Sequence, residues 1–504
     1  MALAAALLGW MFDGLEQGLF PLVARPALRE LLHNPEDSQV ALWFSVATAA
    51  FLVGAATGGV LFGWLGDRIG RVRAMVLTVL TYALFSGLCG LATAPWQIAV
   101  LRFCSALGMG GEWSLGVALV MEIWPEPSRA VLAGLIGAAA NVGFLLIALV
   151  GLGLTSMLQQ TEGWLLAAGL SEALVRRLVA NNGWRLLMLF GAAPALLTLL
   201  IRLFVPESER WQQEQKRGAT SGWATRDLLG VLVGALGAFL IIWVWGPDYP
   251  KSFRIVPILY VWAANYPWFL RLTATAVGLV VATAGYAYPV VRYLQRTSQG
   301  NADRVRTLRP TVSRMLLGAC LGGVALTSTW GANQWIPLWA DQLAGSSVRE
   351  ARSFTQISGA LGAIAGTMAG AMLGKWLSRR LLYTLLCLSS LASAMLLYQG
   401  TNSYGPWFLA SVFLAGCTTA SFYGWLPLYL PELFRTAVRA TGQGFSYNFG
   451  RILAAMGVLQ TGNLMKDVFK NNYPQALSVV SLVYLVGMIL IWLAPETRGK
   501  PLPE

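Results

Sequence analysis

The chain has 504 residues, of which 56% are hydrophobic and only 12% are charged, whereas about 25% of the residues of a typical soluble domain are charged. A soluble chain of this length would need several cores and far more polar surface, so this composition excludes a soluble protein. The formal net charge of +13 does not indicate nucleic-acid binding, because no basic patch is interleaved with aromatic residues on a soluble domain.

The apolar residues run in blocks of roughly 20, the length that a helix needs to cross the hydrocarbon core of a bilayer. Lipid satisfies no backbone hydrogen bonds, and the blocks lack the alternation of barrel strands, so they must be helices. The sequence therefore predicts an all-α polytopic membrane protein with fourteen spans. These lie near 2–23, 40–66, 74–94, 98–123, 130–155, 185–205, 227–245, 271–291, 315–341, 354–374, 381–399, 405–430, 439–460 and 475–494.

Basic residues gather in alternate loops and in the tail after the last span, as Arg68, Arg379 and Lys500 illustrate. This positive-inside bias places these loops and both termini in the cytoplasm. We expect a multi-pass protein of the plasma membrane, which in this case would be the inner membrane of a bacterium. The first span lacks a basic start and carries Asp13 and Glu16 in its middle. We therefore expect it to be part of the mature protein and not a cleaved signal peptide.

Three landmarks occur twice and in the same order. An acid near the end of a span precedes an arginine at the same spacing in Glu122/Arg129 and in Glu432/Arg439. Two other spans end in Pro-Glu-Ser and Pro-Glu-Thr, and a Gly-Trp-Leu loop motif that begins at Gly63 has a partner without its acid after residue 374. Such repetition predicts a duplicated six-helix unit. The predicted units are a bundle over 1–206, an inserted helix pair with cytoplasmic segments over 207–313, and a second bundle over 314–504.

The loop Gly63-Trp-Leu-Gly-Asp67-Arg68-Ile-Gly70-Arg71 resembles the signature of the major facilitator superfamily. This resemblance implies two six-helix bundles that rock against each other in alternating access. It also implies a cytoplasmic latch between the halves, the alternative being that these residues only cap helix ends and maintain topology. The predicted latch residues are Gly63, Asp67, Arg68, Gly70, Arg71, Glu122, Arg129, Glu432 and Arg439.

A second segment, Gly108-Met-Gly-Gly-Glu112-Trp113, together with Asp13 and Glu16 in the first span, resembles proton-coupled organic-acid symporters, the sialate transporters above all. The pair Gly450-Arg451 departs from the sialate pattern and is similar to other organic-acid and sugar porters. The resemblance therefore implies proton-coupled transport of an organic acid and leaves the acid open.

Charged residues inside spans are the first candidate site, because a charge in mid-bilayer costs at least about 2.5–3.5 kcal/mol. Asp13, Glu16, Arg102 and Glu112 are predicted to couple transport to protons, since burial raises the pKa of an acid and a nearby arginine favours its ionised form. We expect Arg102 to approach Asp13. The alternative for each residue is a fixed salt bridge between helices.

Substrate binding is assigned to Arg451 first, because arginine holds a carboxylate in fork geometry. Amides and aromatic rings within the spans could bind and stack a polar substrate, although interhelical hydrogen bonding and packing are the alternatives. These further candidates are Asn333, Gln334, Trp335, Asn448, Asn141 and Tyr423.

The sequence therefore predicts a proton-coupled symporter of a small organic anion, a carboxylate or sialate-like metabolite. A sugar or polyol transporter of the same fold and a transport-inactive nutrient sensor are the alternatives. An enzyme is not expected, because the spans contain no histidine and no metal or nucleotide motif, and we expect no metal and no cofactor. The expected partners are a small-molecule substrate, protons and the lipid bilayer, with no nucleic acid, and the chain is expected to be a monomer.

Overall fold

The computed structural model describes residues 2–33, 35–123, 129–196, 227–247, 249–251, 257–297, 308–345, 347–435, 439–500 and 503. Within these residues the chain is helical and forms no strand. The helices coincide with the apolar blocks, as expected where every backbone group must be satisfied within its own segment.

The first part of the chain folds into seven helices. They are α1 (Ala2–Leu31), α2 (Asp37–Ile69), α3 (Arg71–Leu88), α4 (Pro95–Ile123), α5 (Arg129–Ser156), α6 (Leu158–Ala167) and α7 (Glu172–Phe190). Helix α7 is interrupted at Ala180–Gly183, where the backbone leaves helical geometry. The break separates a largely exposed first part from a second part that begins the sixth predicted span.

The rest of the chain contributes eleven described helices. They are α8 (Asp227–Trp245), α9 (Pro257–Asn265), α10 (Pro267–Thr297), α11 (Leu308–Gly331), α12 (Ile336–Ala344), α13 (Ala351–Leu373), α14 (Arg379–Gly400), α15 (Pro406–Glu432), α16 (Arg439–Asn463), α17 (Tyr473–Ser481) and α18 (Val483–Leu490). A short π-helix, Leu464–Val468, continues α16.

Ten helical segments among the described residues are long and apolar enough to cross a membrane. They include α8 and α10, the two long helices of the predicted inserted segment, which we call the inserted pair, and they do not include α1, α4 or α16. The prediction of an all-α polytopic membrane protein is confirmed. The count of fourteen spans stays a prediction.

The packing pattern of the first part recurs in the second. Helix α1 packs on α5 and α2 packs on α4, while α11 packs on α16 and α13 packs on α15. The two halves meet mainly along two helix pairs. One is α5 with α13, and the other is α2 with α16, which we call the α2–α16 seam.

The inserted pair lies against this seam and has polar contacts with both halves. The hydroxyl groups of Tyr286 on α10 and Thr57 on α2 are 2.7 Å apart and buried. On the other side, Asn463 of α16 donates to the carbonyl of Trp245 at 3.3 Å. The inserted helices are therefore joined to α2 and to α16.

Helices within each half cross with backbone against backbone. A Cβ atom on Gly366 of α13 would lie 1.7 Å from the carbonyl oxygen of Cys417 on α15. In the first half, a Cβ atom on Gly58 of α2 would lie 1.9 Å from the carbonyl oxygen of Leu107 on α4. Small residues at such crossings are how membrane helices approach closely, since no hydrophobic effect drives them together in lipid.

The substitution Gly366→Val is expected to lower the melting temperature of the detergent-purified protein and its folded yield, because overpacking a tight contact costs about 1–3 kcal/mol or more. The matched control is Gly153→Val on α5, where a Cβ atom would meet nothing within 4 Å and little change is expected. Equal losses in the two variants would contradict the packing argument. Thermal unfolding followed by size-exclusion chromatography provides the measurement.

Candidate functional site

A cavity of about 200 Å³ lies between the two halves. Helices α1, α2, α4 and α5 form one wall, and α11, α13, α15 and α16 form most of the other. Six residues predicted from the sequence line it, and they are Asp13, Asn141, Asn333, Gln334, Tyr423 and Arg451. Residues that lie far apart in the sequence and in different halves are therefore brought to one space.

Arg451 on α16 is the cationic residue of the cavity wall, and it is 6% exposed. Its Nη1 donates to the side-chain oxygen of Asn448 at 3.1 Å and to the backbone carbonyl of Ala55 at 3.3 Å. Its guanidinium carbon lies 5.0 Å from the ring centre of Tyr447. A guanidinium group has five N–H donors, so these two bonds do not use its full capacity.

Neutral polar groups complete the walls. Asn333 donates to the hydroxyl group of Thr419 at 2.7 Å, and Tyr423 donates to that of Thr329 at 2.8 Å. Asn141 on α5 donates to Thr367 of α13 at 3.3 Å. This is an interhelical hydrogen bond, which is the alternative to substrate binding given for the amides in the spans.

Several lining residues were not predicted, among them Gln17 on α1 and Gln356 on α13, together with the aromatic residues Trp10 and Trp330. Gln356 donates to the carbonyl of Phe144 across the α5–α13 contact at 3.2 Å. Amides and indoles also occur at positions that only pack against other helices, so residue type alone did not identify these lining positions.

Two predicted substrate residues lie away from the cavity wall. Trp335 is fully buried, and its ring packs edge-on against Phe44 at 4.7 Å. Asn448 is 4% exposed and holds Arg451. The amide of Asn448 therefore contacts the proposed substrate anchor and does not line the space where a substrate would sit.

Glu16 and Arg102 form an ion pair inside the first half, with Oε1 and Nη1 3.5 Å apart and both side chains essentially inaccessible to solvent. Ser86 and Ser105 donate to the same carboxylate oxygen at 3.3 and 3.1 Å. The other oxygen of Glu16 is buried, and no donor in the described part of the chain bonds to it. In this structure Arg102 therefore pairs with Glu16, one turn away from Asp13.

Arg102 is also held by aromatic rings. Its guanidinium carbon lies 4.4 Å from the ring centre of Phe20 and 4.3 Å from that of Phe51. Such cation–π contacts gain strength where water is absent. The side chain of the fourth predicted proton-coupling residue, Glu112, lies outside the described residues.

Charged residues connect the two halves near the C-terminal end of α1. Arg25 of α1 pairs with Asp341 of α12 at 2.8 Å and with Asp37 of α2 at 3.0 Å. Arg29 also pairs with Asp37 at 2.8 Å, and Arg352 of α13 approaches Asp341 at 3.4 Å. We call these five residues the Arg25 cluster. Its Arg25–Asp341 pair links the first half directly to the second.

At the other end of the helices, residues from the repeated landmarks of the second half are in contact with one another. Arg379 of the worn loop motif forms two bonds with Glu432, at 2.7 and 2.9 Å, and Thr497 of the Pro-Glu-Thr landmark donates to the same carboxylate at 2.6 Å. Arg439 donates to the carbonyl of Pro503 at 3.0 Å. In the residues described here, Glu432 thus bonds within its own half.

The predicted latch residues of the first half are described only in part. Gly70 joins α2 to α3 with a φ of 110°, a backbone angle that favours glycine. Gly63 is half-buried, and the exposed Arg68 lies 4.6 Å from the ring centre of Trp64. The side chains of the remaining members, Asp67, Arg71, Glu122 and Arg129, lie outside the described residues.

The described residues contain no group of three or more His, Cys, Asp and Glu side chains that could hold a metal ion. The described lining of the cavity consists of one acid, one arginine, neutral amides and hydroxyl groups, aromatic rings and apolar residues. Chemically it can bind a small polar molecule and accept a proton at a buried acid.

Comparison with known proteins gives a consistent result. Residues 3–227 match the family model described as "Sugar (and other) transporter". An inner membrane metabolite transport protein of Escherichia coli is 26% identical over 457 residues, 90% of this chain and 82% of that protein. A cis,cis-muconate transport protein of Acinetobacter baylyi is 25% identical over 413 residues, 82% of this chain and 76% of that protein.

A sialic acid transporter of Escherichia coli is 27% identical over 214 residues, which cover 42% of this chain and 45% of that protein. Among solved structures, a D-xylose–proton symporter superposes with a TM-score of 0.63 at 16% identity, and the match covers 99% of both chains. At this identity the superposition shows that the two proteins share a fold.

The carboxyl group of Glu496 lies beyond the last apolar helix. It provides a pH-dependent test of the contacts that surround Glu432. Burial alone would raise its pKa, but backbone N–H groups of Arg379, Arg498, Arg380 and Thr497 donate to the carboxylate and lower the pKa below 4.5. Above pH 4.5, the ordinary pKa of the group, these bonds should contribute fully to the free energy of unfolding. Their contribution should be lost as the pH falls through the lowered pKa.

We therefore expect Glu496→Gln to lower the melting temperature at neutral pH, and we expect its difference from the wild type to shrink as the pH falls through the lowered pKa of the carboxyl group. Melting curves of both proteins from pH 3 to pH 7 provide the measurement. A difference that did not depend on pH would contradict the assignment.

Proposed function

Since this chain is a transporter of the major facilitator superfamily, we propose that it moves a small organic anion together with protons by alternating access. The observation that carries this proposal is the position of Arg451 on the wall of the central cavity. A cation buried in a membrane protein costs free energy, so we expect Arg451 to have a functional role. A carboxylate matches a guanidinium group in geometry and charge.

The relatives support the choice of substrate class. Muconate and sialic acid, which two of the related transporters are named for, are both carboxylic acids. One carboxylate on Arg451 would leave the rest of the molecule against amides such as Asn333 and rings such as Trp330, which line the same cavity. Amides hydrogen-bond polar substituents, and aromatic rings stack on flat parts of a ligand.

We assign proton movement to the Glu16–Arg102 pair. A carboxylate this deeply buried is stable as an anion only while its cationic partner is close, so separating the two would favour protonation. Oε2 of Glu16, to which no described residue donates, is a place for that proton. Asp13, one turn along α1 and on the cavity wall, and Glu112 on α4 complete the set that we propose for proton coupling.

Alternating access requires contacts between the halves that form at one end and break at the other. The Arg25–Asp341 pair links the halves at one end, whereas the bonds described for Glu432 stay within the second half. The Arg25–Asp341 pair supports a state closed at the Arg25 cluster. We place that end outside the cell and both termini in the cytoplasm, from the distribution of basic loops.

The proposal includes fourteen spans, with bundles over 1–206 and 314–504 and an inserted segment over 207–313. The membrane is proposed to be a bacterial inner membrane, as for the E. coli relative. The chain is proposed to act as a monomer and to bind no nucleic acid.

Transport of a sugar or polyol is the second candidate. A cavity rich in amides and aromatic rings, the description of the family model and the fold shared with a xylose–proton symporter all favour it. A neutral substrate would not need Arg451, and this difference separates the two candidates. A nutrient sensor without transport activity is the third candidate, and direct uptake of a solute into vesicles would exclude it.

The deciding experiment is uptake into proteoliposomes of radiolabelled cis,cis-muconate, sialate, benzoate and xylose, with and without an inward proton gradient. The proposal expects at least one acid to accumulate and the gradient to increase its accumulation. Uptake of xylose alone would favour the second candidate. If no acid moved and the gradient had no effect, the proposed function would be wrong.

Arg451→Gln is expected to raise the KM for the transported acid by at least about tenfold, because a hydrogen bond to a charged group is worth about 1.5–3 kcal/mol. Arg451→Lys keeps the charge but loses the bidentate geometry of the guanidinium group. Its KM should therefore lie between those of the wild type and of Arg451→Gln. Initial rates over a range of acid concentrations measure the change. Unaltered acid uptake by Arg451→Gln would remove this residue from the site.

Glu16→Gln is expected to abolish gradient-driven accumulation while it spares exchange of labelled for unlabelled acid, because exchange needs no net proton movement. Asp13→Asn, measured in parallel, tests the neighbouring acid on the cavity wall. Equal loss of accumulation and exchange in both variants would indicate a structural role for the buried acids.

A further inference from the structure

We propose that Asn448 and Gly59 form a positioning site for Arg451 at the α2–α16 seam. This inference rests on the proposed function, in which Arg451 binds the carboxylate of the substrate. Asn448 is then a positioning residue that sets the direction of the guanidinium group, and Gly59 provides the space in which the Asn448 amide lies.

Asn448 and Arg451 are three residues apart on α16 and therefore share one face of the helix. The side-chain oxygen of Asn448 accepts a hydrogen bond from Nη1 of Arg451 at 3.1 Å. The same Nη1 donates across the seam to the carbonyl of Ala55 on α2 at 3.3 Å. Two acceptors from opposite halves thus hold one nitrogen, and Tyr447 is a further hydrogen-bond partner of the guanidinium group. Five N–H donors exceed these three contacts, so the group can still bind a ligand in the cavity.

The Asn448 amide fits this position because residue 59 has no side chain. A Cβ atom on Gly59 would lie 2.3 Å from the amide nitrogen of Asn448 and 2.7 Å from its oxygen. Gly54 and Gly58 on the same helix face backbone atoms of α4, whereas Gly59 faces the end of a flexible side chain. A methyl group here would therefore displace the amide at little cost to the helices.

Both halves contribute to this arrangement, since Gly59 and Ala55 belong to α2 and Asn448 belongs to α16. If α2 and α16 move relative to each other during alternating access, the Ala55 carbonyl moves relative to Arg451. Asn448 lies on the same helix as Arg451, so these two residues move together. Asn448 therefore keeps the guanidinium directed at the cavity when the contact with Ala55 alters. Its loss should weaken substrate binding more than it slows turnover.

The test measures KM and maximal rate for cis,cis-muconate uptake in proteoliposomes, with benzoate as the second probe. Asn448→Ala and Gly59→Ala are each expected to raise KM by about tenfold with the maximal rate within about twofold, since each removes one hydrogen bond to a charged group. Asn448→Gln keeps a neutral amide oxygen that can accept from Arg451 and should bring KM back towards that of the wild type.

The double variant Gly59→Ala/Asn448→Ala distinguishes a shared site from two separate defects. With the amide gone, a methyl group at residue 59 has nothing to displace, so KM of the double variant should equal that of Asn448→Ala. A hundredfold rise, the product of two independent effects, would overturn the proposal. So would a wild-type KM in both single variants.

Asn463→Ala is the matched control, because Asn463 is also a buried amide on α16 but bonds to backbone carbonyls of Leu459 and Trp245. Its KM should match the wild type. If Asn448→Ala and Asn463→Ala lost maximal rate equally and kept their KM, Asn448 would be structural and the inference would fail. If Arg451→Gln left uptake unchanged, or no acid were transported, the proposed function itself would fail.

Discussion

Lipid gives a charged group neither hydrogen bonds nor solvation, and this constraint determines how the first half is arranged. The Glu16–Arg102 pair meets it within the protein, with two serine hydroxyl groups on one carboxylate oxygen and two phenyl rings against the guanidinium. Because Glu16 must face Arg102 on α4, the rotation of α1 about its axis is fixed. Asp13, one turn earlier, is thereby directed to the cavity wall.

Backbone contacts keep that rotation. A Cβ atom on Gly14 of α1 would lie 1.8 Å from the carbonyl oxygen of Ala140 on α5, and one on Gly143 would lie equally close to that of Met11. These two glycines lie beside Asp13 and near Asn141, which line the cavity. The walls are therefore rigid helix pairs, and the cavity is the space that remains where two such pairs from different halves do not touch.

The fold class and the landmarks of the duplication followed from the sequence, because block length and charge placement are physical requirements of a bilayer. The same penalty on polar groups in lipid identified the cavity residues Asp13, Asn333 and Arg451. Orientation within the bundle could not be predicted, since a span surrounded by other helices is apolar on most sides and its periodicity is weak. For that reason Trp335 and Asn448 were expected at the cavity, and Gln356 was not.

The two halves carry different parts of the proposed mechanism, and one turn of α2 connects them. Phe51 stacks on Arg102, the partner of the buried acid, and Ala55, four residues later, accepts a hydrogen bond from Arg451 of the second half. A rigid helix turn cannot move one of these contacts without the other. Any displacement of α2 that follows from a change in the Glu16–Arg102 pair therefore reaches the residue to which we assign the substrate carboxylate.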